Sequence, residues 1–262
     1  MAVLFFLYLL TGFFIYARFI EPQRIFVDEH QIEMGFEARV IVIADMHLGI
    51  YKKADFMERV VKKVNQQEGI QAVLIPGDFT YYPKDWSVDA LEEMFSSLAE
   101  IEAPVYAVLG NHDSEEPGPP LQKNLEEALE RNGVIFMKNE SATIPQTDIS
   151  ILGLGDKWAG EDDIRLIENY AESDNLIVMT HNPDTTLNYT NSIAGLTVSG
   201  HTHGGQIRIP WLYKKVIPCM GDFDKGLHNT SSGKVFVTSG LGEVGLPMRL
   251  WVPPVIDVLE FY

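Results

Sequence analysis

Eight short apolar runs, most of them rich in β-branched residues, recur between positions 39 and 261, and few alternate with polar residues. They are RVIVIAD (39–45), AVLIPGD (72–78), VYAVLGNHD (105–113), ISILGLGD (149–156), LIVMTH (176–181), LTVSGHTH (196–203), KVFVTSG (234–240) and VIDVLEF (255–261). A strand that is apolar on both sides must be covered on both faces. Between the early runs, amphipathic segments near 53–67, 88–100 and 121–132 read as helices, the last stopped by Asn132-Gly133. This alternation predicts an α/β fold. Because helices thin out in the later half, two sheets packed face to face with helices outside fit better than one doubly wound sheet. No repeat, low-complexity stretch or Ser/Gly linker divides the body, which is expected to be one catalytic domain over 35–262.

The start of the chain is different. Residues 1–17 carry no charged side chain, and Arg18 follows. Twenty helical residues span about 30 Å, the thickness of a hydrocarbon core. A cleaved signal peptide needs a basic leader and a small-residue cleavage site, and neither is visible. A buried core helix would be apolar on one stripe, whereas this segment is apolar all round. Residues 1–20 are therefore expected to form a single-pass membrane anchor, with 21–34 as a linker, and 23–38 reads as linker and first strand. Glu21-Pro22 is expected to end the helix. Arg18 and Arg24 both follow the segment, which places the body on the cytoplasmic side by the positive-inside rule.

Charge narrows the partners. With 20 Lys plus Arg against 37 Asp plus Glu, the net charge of −17 opposes binding to nucleic acid, which needs clustered cations. The single cysteine, Cys219, excludes an internal disulfide framework and a Cys-based zinc cluster.

The informative pattern is how the strands end. Run one closes on Asp45 and His47, run two on Asp78, run three on Asn111, His112 and Asp113. LIVMT closes on His181, and LTVS on His201 and His203. Ligands collect at the carboxyl edge of strands in α/β proteins, so these side chains are expected on one rim. Five of the seven histidines stand there, and only His30 and His228 lie elsewhere. Helix capping explains Asp and Asn at such places but does not favour His. Imidazole mixed with carboxylate suits Mn, Fe or Zn, whereas Mg and Ca prefer oxygen alone. Seven candidate ligands exceed one tetrahedral site and match two divalent ions sharing a bridge, the arrangement that activates water against a phosphoryl group. Asp78, in the middle of the series, is the natural bridging carboxylate.

In this order D-x-H, GD, GNHD, a lone His and GHTH resemble the calcineurin-like metallophosphoesterase superfamily. The further runs GLGDKWAG (153–160), THNPD (180–184), GHTHGGQIRIP (200–210) and GLGEVGLPMRLW (240–251) are similar to its bacterial membrane-associated phosphodiesterase branch. The resemblance implies a four-layer α/β/β/α sandwich. It implies one metal on Asp45, His47, His203 and Asp78, and a second on Asp78, Asn111, His181 and His201. His112 would meet the leaving group or a phosphoryl oxygen, with Asp113 orienting it. The implied activity is hydrolysis of a phosphodiester or pyrophosphate by a hydroxide bridging the metals, on a small molecule or a membrane lipid such as UDP-2,3-diacylglucosamine, which some relatives cleave. The alternative is a catalytically silent binding scaffold on the same fold, disfavoured because His112 and all seven ligand candidates are present. The leader lacks the twin-arginine pair of some relatives, so export by that route is not expected.

Other signals carry less. Gly240, Gly242 and Gly245 match a dinucleotide-binding spacing, but Pro247, Pro253 and Pro254 forbid the helix it requires. Glu161-Asp162-Asp163 reads as the acidic start of a helix. Trp158, Trp211, Tyr213 and His228 read as ordinary packing or exposed loop residues rather than as cleft walls.

Overall fold

Each of the eight apolar runs forms a strand in the computed structural model, which describes residues 1–114, 121–170, 175–189, 191–193 and 195–262. In chain order the strands are β1 (Phe26–Ile32), β2 (Ala38–Val42), β3 (Leu48–Gly49), β4 (Ala72–Pro76), β5 (Thr80–Tyr81), β6 (Val105–Val108) and β7 (Ile135–Phe136). They continue with β8 (Glu140–Thr143), β9 (Ser150–Gly153), β10 (Leu176–Met179), β11 (Leu196–Ser199), β12 (Gly226–Thr230), β13 (Gly233–Val237) and β14 (Val255–Phe261). The helices are α1 (Ala2–Ile15), α2 (Ala54–Val64), α3 (Val88–Phe95), α4 (Asn111–Ser114) and α5 (Leu121–Arg131). At the end of α5, Gly133 adopts φ 78° while the Val134 amide reaches back to the Leu129 carbonyl, so the helix stops where its sequence signal lies.

Among the described residues the strands form two six-stranded sheets, ordered β1-β14-β2-β4-β6-β7 and β12-β13-β11-β10-β9-β8, and a small sheet of β3 and β5. Strands β2, β4, β6 and β7 run parallel, as do β9, β10, β11 and β13. Period-two geometry then sorts the side chains. Val40, Val42, Leu74 and Val108 face the second sheet, meeting Ile151, Ile177, Met179 and Val198 in a closed apolar layer. Their neighbours Ile41, Ile43, Val73 and Ala107 face outward onto Phe56, Val60, Leu91 and Leu125 of α2, α3 and α5. On the far side of the second sheet, Leu152, Leu176 and Val178 are covered by Ile164 and Ile167 of a 3₁₀ segment. The fold is the four-layer sandwich expected, with 3₁₀ turns rather than long α-helices as its fourth layer.

Two sequence expectations are corrected at the amino end. Pro22 does not end the helix. Residues 16–20 widen to a π-turn, and helical backbone continues through Gln23 before Arg24 turns extended (ψ 93°). The wider turn is compatible with the missing proline N–H, because the Glu21 amide already bonds to Tyr16 five residues back. Nor is 21–34 a linker. Strand β1 pairs in parallel with β14 along seven residues, and the buried Glu21 carboxylate accepts the Val252 amide at 2.6 Å. Among the described residues one helix, Leu4–Gln23, is long and apolar enough to cross a membrane, and most of it lies exposed.

Candidate metal centre

The carboxyl ends of β2, β4, β6, β10 and β11 open onto one rim shared by both sheets, because the two parallel blocks pack face to face. The loops after β2 and β4 stay paired beyond the strands, with Asp45 N on Gly77 O and His47 N on Asp78 O. A cross-sheet bond joins the halves: the His201 amide donates to Asp45 Oδ1 at 2.9 Å. Asp45, His47, Asp78, His201 and His203 all hold left-handed backbone, with φ between 47° and 72°. Asp and His tolerate this region better than most residues, yet each instance costs of the order of 1 kcal/mol and clusters where function requires it. Glycine makes the crowding possible. A Cβ at Gly240 would sit 2.7 Å from Asp45 Oδ2, and one at Gly110 would overlap Asp78 Oδ1.

Asp45, His47, Asp78 and His203 are all buried and present donor atoms within 4.8 Å of one another. His47 Nε2 lies 3.1 Å from His203 Nε2 and 3.5 Å from Asp78 Oδ2, and His203 Nε2 lies 3.7 Å from Asp45 Oδ1. A second group adjoins the first. His181 Nε2 is 3.2 Å from the same Asp78 Oδ2, 3.1 Å from Asn111 Oδ1 and 3.1 Å from His201 Nδ1. Donor atoms about 2 Å from one tetrahedral ion are separated by about 3.3 Å, close to these spacings.

The outer nitrogens of three rings fix what the inner ones do. His181 Nδ1 faces the Pro76 carbonyl at 2.9 Å, His47 Nδ1 the Thr80 carbonyl at 3.3 Å and His201 Nε2 the Pro218 carbonyl at 3.1 Å. A ring that donates outward to a carbonyl leaves a lone pair pointing inward. His181 Nε2 and His201 Nδ1 thus face each other across 3.1 Å, a contact that a proton or a cation relieves. His203 Nδ1, by contrast, has no partner among the described residues, so a neutral His203 can donate from Nε2 to His47 Nε2. The donor set of imidazole, carboxylate and carboxamide fits a divalent transition metal.

Electrostatics agree. Burial pulls His47 down to about 4 and His201 to about 3, and pushes His203 well below its ordinary value. At His181 burial acts in the same direction, but the charge and hydrogen bond of Asp78 override it and hold the ring up to about 10. Asp78 stays well below the carboxylate range, against its burial, because His181 faces it. Burial raises Asp45 to about 7, opposed by His181 and reinforced by Asp78. Without an ion the site therefore keeps its proton on His181.

Asp113 does not act as expected from the resemblance. Its carboxylate takes four bonds, from the amides of Phe79, Thr80 and Gly110 and from the Thr80 hydroxyl, at 3.0 to 3.1 Å. Those bonds tie the Asp78 loop to the α4 turn and leave no lone pair directed at His112. The His112 ring instead sits edge-on to His47 and Tyr81, with centroids 5.1 and 5.3 Å away, and its amide holds Asp78 Oδ1 at 3.0 Å.

Sequence reasoning missed Arg249 and read Trp158 and Tyr213 as packing. Arg249 is fully buried and donates to the carbonyls of Ser239, Gly242 and Val252, which braces the loop carrying Gly240 against Asp45. Its only signal was its place inside a run similar to the family's. Trp158, read as packing, stands edge-on to His201 at 4.6 Å, and both it and Tyr213 line the cavity of about 500 Å³ beside the cluster.

Comparison with known proteins accords with this geometry. The family model for calcineurin-like phosphoesterases matches residues 38–205. The metallophosphoesterase YkuE of Bacillus subtilis (strain 168) is 28% identical over 93% of this chain and 87% of its own length. Phosphodiesterase YaeI of Escherichia coli (strain K12) is 27% identical over 85% of this chain and 81% of its own. The UDP-2,3-diacylglucosamine pyrophosphatase LpxG of Chlamydia trachomatis serovar D is 26% identical over 66% of this chain and 65% of its own. Since the matched span holds β2 to β11 and every strand-end Asp, Asn and His described above, the chain belongs to the calcineurin-like phosphoesterases and is a metal-dependent hydrolase of phosphoric esters.

Proposed function

We infer that the chain hydrolyses a phosphodiester or pyrophosphate with two divalent ions bound, one by Asp45, His47, Asp78 and His203, the other by Asp78, Asn111, His181 and His201. The observation that carries this reading is Asp78 Oδ2, within 3.5 Å of His47 Nε2 and 3.2 Å of His181 Nε2, so that one oxygen serves both groups. Mn, Fe or Zn suits the donors. Bound there, such a pair supplies positive charge for a phosphoryl oxygen and lowers the pKa of water.

The chain's own residues do the positioning. The His112 amide fixes the Asp78 carboxylate, and Asp113 fixes the loop beneath it. The His112 ring, on the cavity wall beside Asp78 and Asn111, is the group to donate to a phosphoryl or leaving-group oxygen. The exposed apolar helix supports a membrane anchor, and Arg18 and Arg24 behind it support a body on the cytoplasmic side. A substrate at the bilayer surface follows from that anchor, and the relatives named a phosphodiesterase and a UDP-2,3-diacylglucosamine pyrophosphatase support the two bond types.

The test is hydrolysis of bis-p-nitrophenyl phosphate by the full chain in detergent, metal-stripped and then given Mn, Fe(II), Zn or Mg in turn. Manganese is expected to restore turnover. Unchanged activity in stripped Asp78→Asn protein refutes the mechanism.

A further inference from the structure

The cavity beside the metal centre changes character along its length. Its floor is polar, with Asp78, Asn111, His112, His201 and His203, whereas its walls are Ile207, Ile209, Leu212, Val216, Val244 and Leu246. An apolar wall of that extent has no use for a phosphoryl group, which the floor already accommodates. Several wall residues reach the outer surface: Leu212 is 55%, Val216 69% and Leu246 61% exposed, beside Trp211 at 88%. Large apolar side chains crowded at one cavity mouth mark a binding surface.

The same mouth is fastened to α1. Gln206 donates to the Val244 and Leu246 carbonyls and accepts the Val244 amide, joining the two walls. Leu250 bonds to Gln206 and Arg208 through the backbone, and next to it the Arg249 amide donates to the Ala17 carbonyl at 2.9 Å. Trp251 meets Phe13 edge to face at 6.4 Å. Phe13 lies inside the apolar helix, so Trp251 stands at the depth of a residue that the bilayer would surround. The strap 249–252 thereby places the cavity mouth and the helix on one side of the molecule. In the wall segment 206–216 Arg208 pairs with Asp224 and Lys214 with Asp222, each at 2.9 Å, so the segment brings little net positive charge. The exposed Trp211 is its residue of membrane-interface type.

We propose that the groove formed by 207–216 and 244–246 holds the hydrocarbon chain of a lipid phosphoester that enters sideways from the bilayer, with its phosphoryl group on the floor at Asp78 and Asn111. This rests on the phosphoesterase reading above and names the class of its substrate. Leu212, Leu246 and their neighbours are specificity-determining residues in this scheme, and Trp211 lies in the bilayer interface.

Two measurements test it on the full chain. Binding of n-butyl, n-hexyl and n-octyl phosphate is titrated by calorimetry in a fixed neutral detergent. Burying each added methylene is expected to tighten binding about fourfold in the wild type. In Leu212→Asp and Leu246→Asp, both at exposed positions that fold readily, the gain per methylene is expected to shrink. Equal slopes in all three proteins, or no slope in any, overturn the proposal. Second, with Trp86→Phe, Trp158→Phe and Trp251→Phe combined, Trp211 fluorescence is read in phosphatidylcholine vesicles carrying brominated chains. Quenching is expected, and its absence overturns sideways entry. Neither readout requires turnover, so an inactive protein that still shows the chain-length slope and the quenching would refute the hydrolase reading and support this one.

Discussion

His47 and His203 stack almost parallel, 14° between planes, with their Nε2 atoms 3.1 Å apart inside the protein. Burial keeps both rings neutral, and with His203 Nδ1 unpartnered among the described residues the Nε2 contact is a hydrogen bond, with Asp45 and Asp78 beside it. A bound cation would replace that bond with coordination and stabilise the native state only. At a hundredfold excess over its dissociation constant such a ligand adds about 2.7 kcal/mol, roughly 5–10 °C in melting temperature for a domain of this size. Chelation is expected to lower the transition seen by scanning calorimetry by that amount, and manganese to restore it. Identical melting with and without chelator would remove the metal from the site.

Protons compete with the ion. His181 is held up to about 10 by Asp78 against its burial, and Asp45 is pushed up to about 7 by its burial. Both must be deprotonated to coordinate. Acidification therefore weakens binding. The ion at His181 is expected to gain about tenfold in apparent affinity per pH unit throughout the neutral range, because that ring keeps a competing proton up to about 10. The ion at Asp45 is expected to gain about tenfold per unit only below about pH 7 and to level off above it. Calorimetric titration of manganese between pH 6 and 8.5 reads these slopes directly, and a flat profile would contradict the proton placement.

Much of the architecture was legible because every central strand is apolar on both faces, which forces a covered sheet whatever the rest of the chain does. Less was legible where one partner supplies the reason. Phe26–Ile32, read only as part of a linker and first strand over 23–38, carries charge and few apolar residues, so little local marks where a strand lies. It forms one because β14, more than 220 residues later, inserts between β1 and β2 and offers an open edge. The candidate ligands declared themselves as residue types at strand ends, yet the 3.2 Å approach of His181 to Asp78 depends on how two sheets stack face to face, which no local pattern specifies. Asp113 shows the limit from the other side. Its motif suggested a partner for His112, and the backbone amides around it decided otherwise.

That tether has its own consequence. Removing the Asp113 carboxylate leaves the Phe79, Thr80 and Gly110 amides without acceptors in a buried loop. Asp113→Ala is expected to cost about 3 kcal/mol in urea denaturation. Asp113→Asn does little better, because an amide nitrogen must then face donors. Turnover should fall in both as Asp78 loosens, while the pH dependence of kcat/KM keeps its shape, since Asp113 does not touch the His112 ring. A displaced pH profile would restore Asp113 to the role of orienting His112.

Gly240 offers a comparison with a built-in control. It holds φ 70° and its missing Cβ would lie 2.7 Å from both Oδ2 and Cβ of Asp45, while Gly245, five residues on, holds φ 66° with nothing within 4 Å. Alanine at either position bears the left-handed backbone penalty of about 1 kcal/mol. Only at Gly240 does it also press on a ligand carboxylate, adding about 1–3 kcal/mol of overpacking and turning Asp45 away from His203. Gly240→Ala is expected to lose roughly 10–100-fold in metal affinity, and Gly245→Ala to keep the wild-type value. Equal affinities in the two variants would mean that the Asp45 carboxylate does not hold the ion.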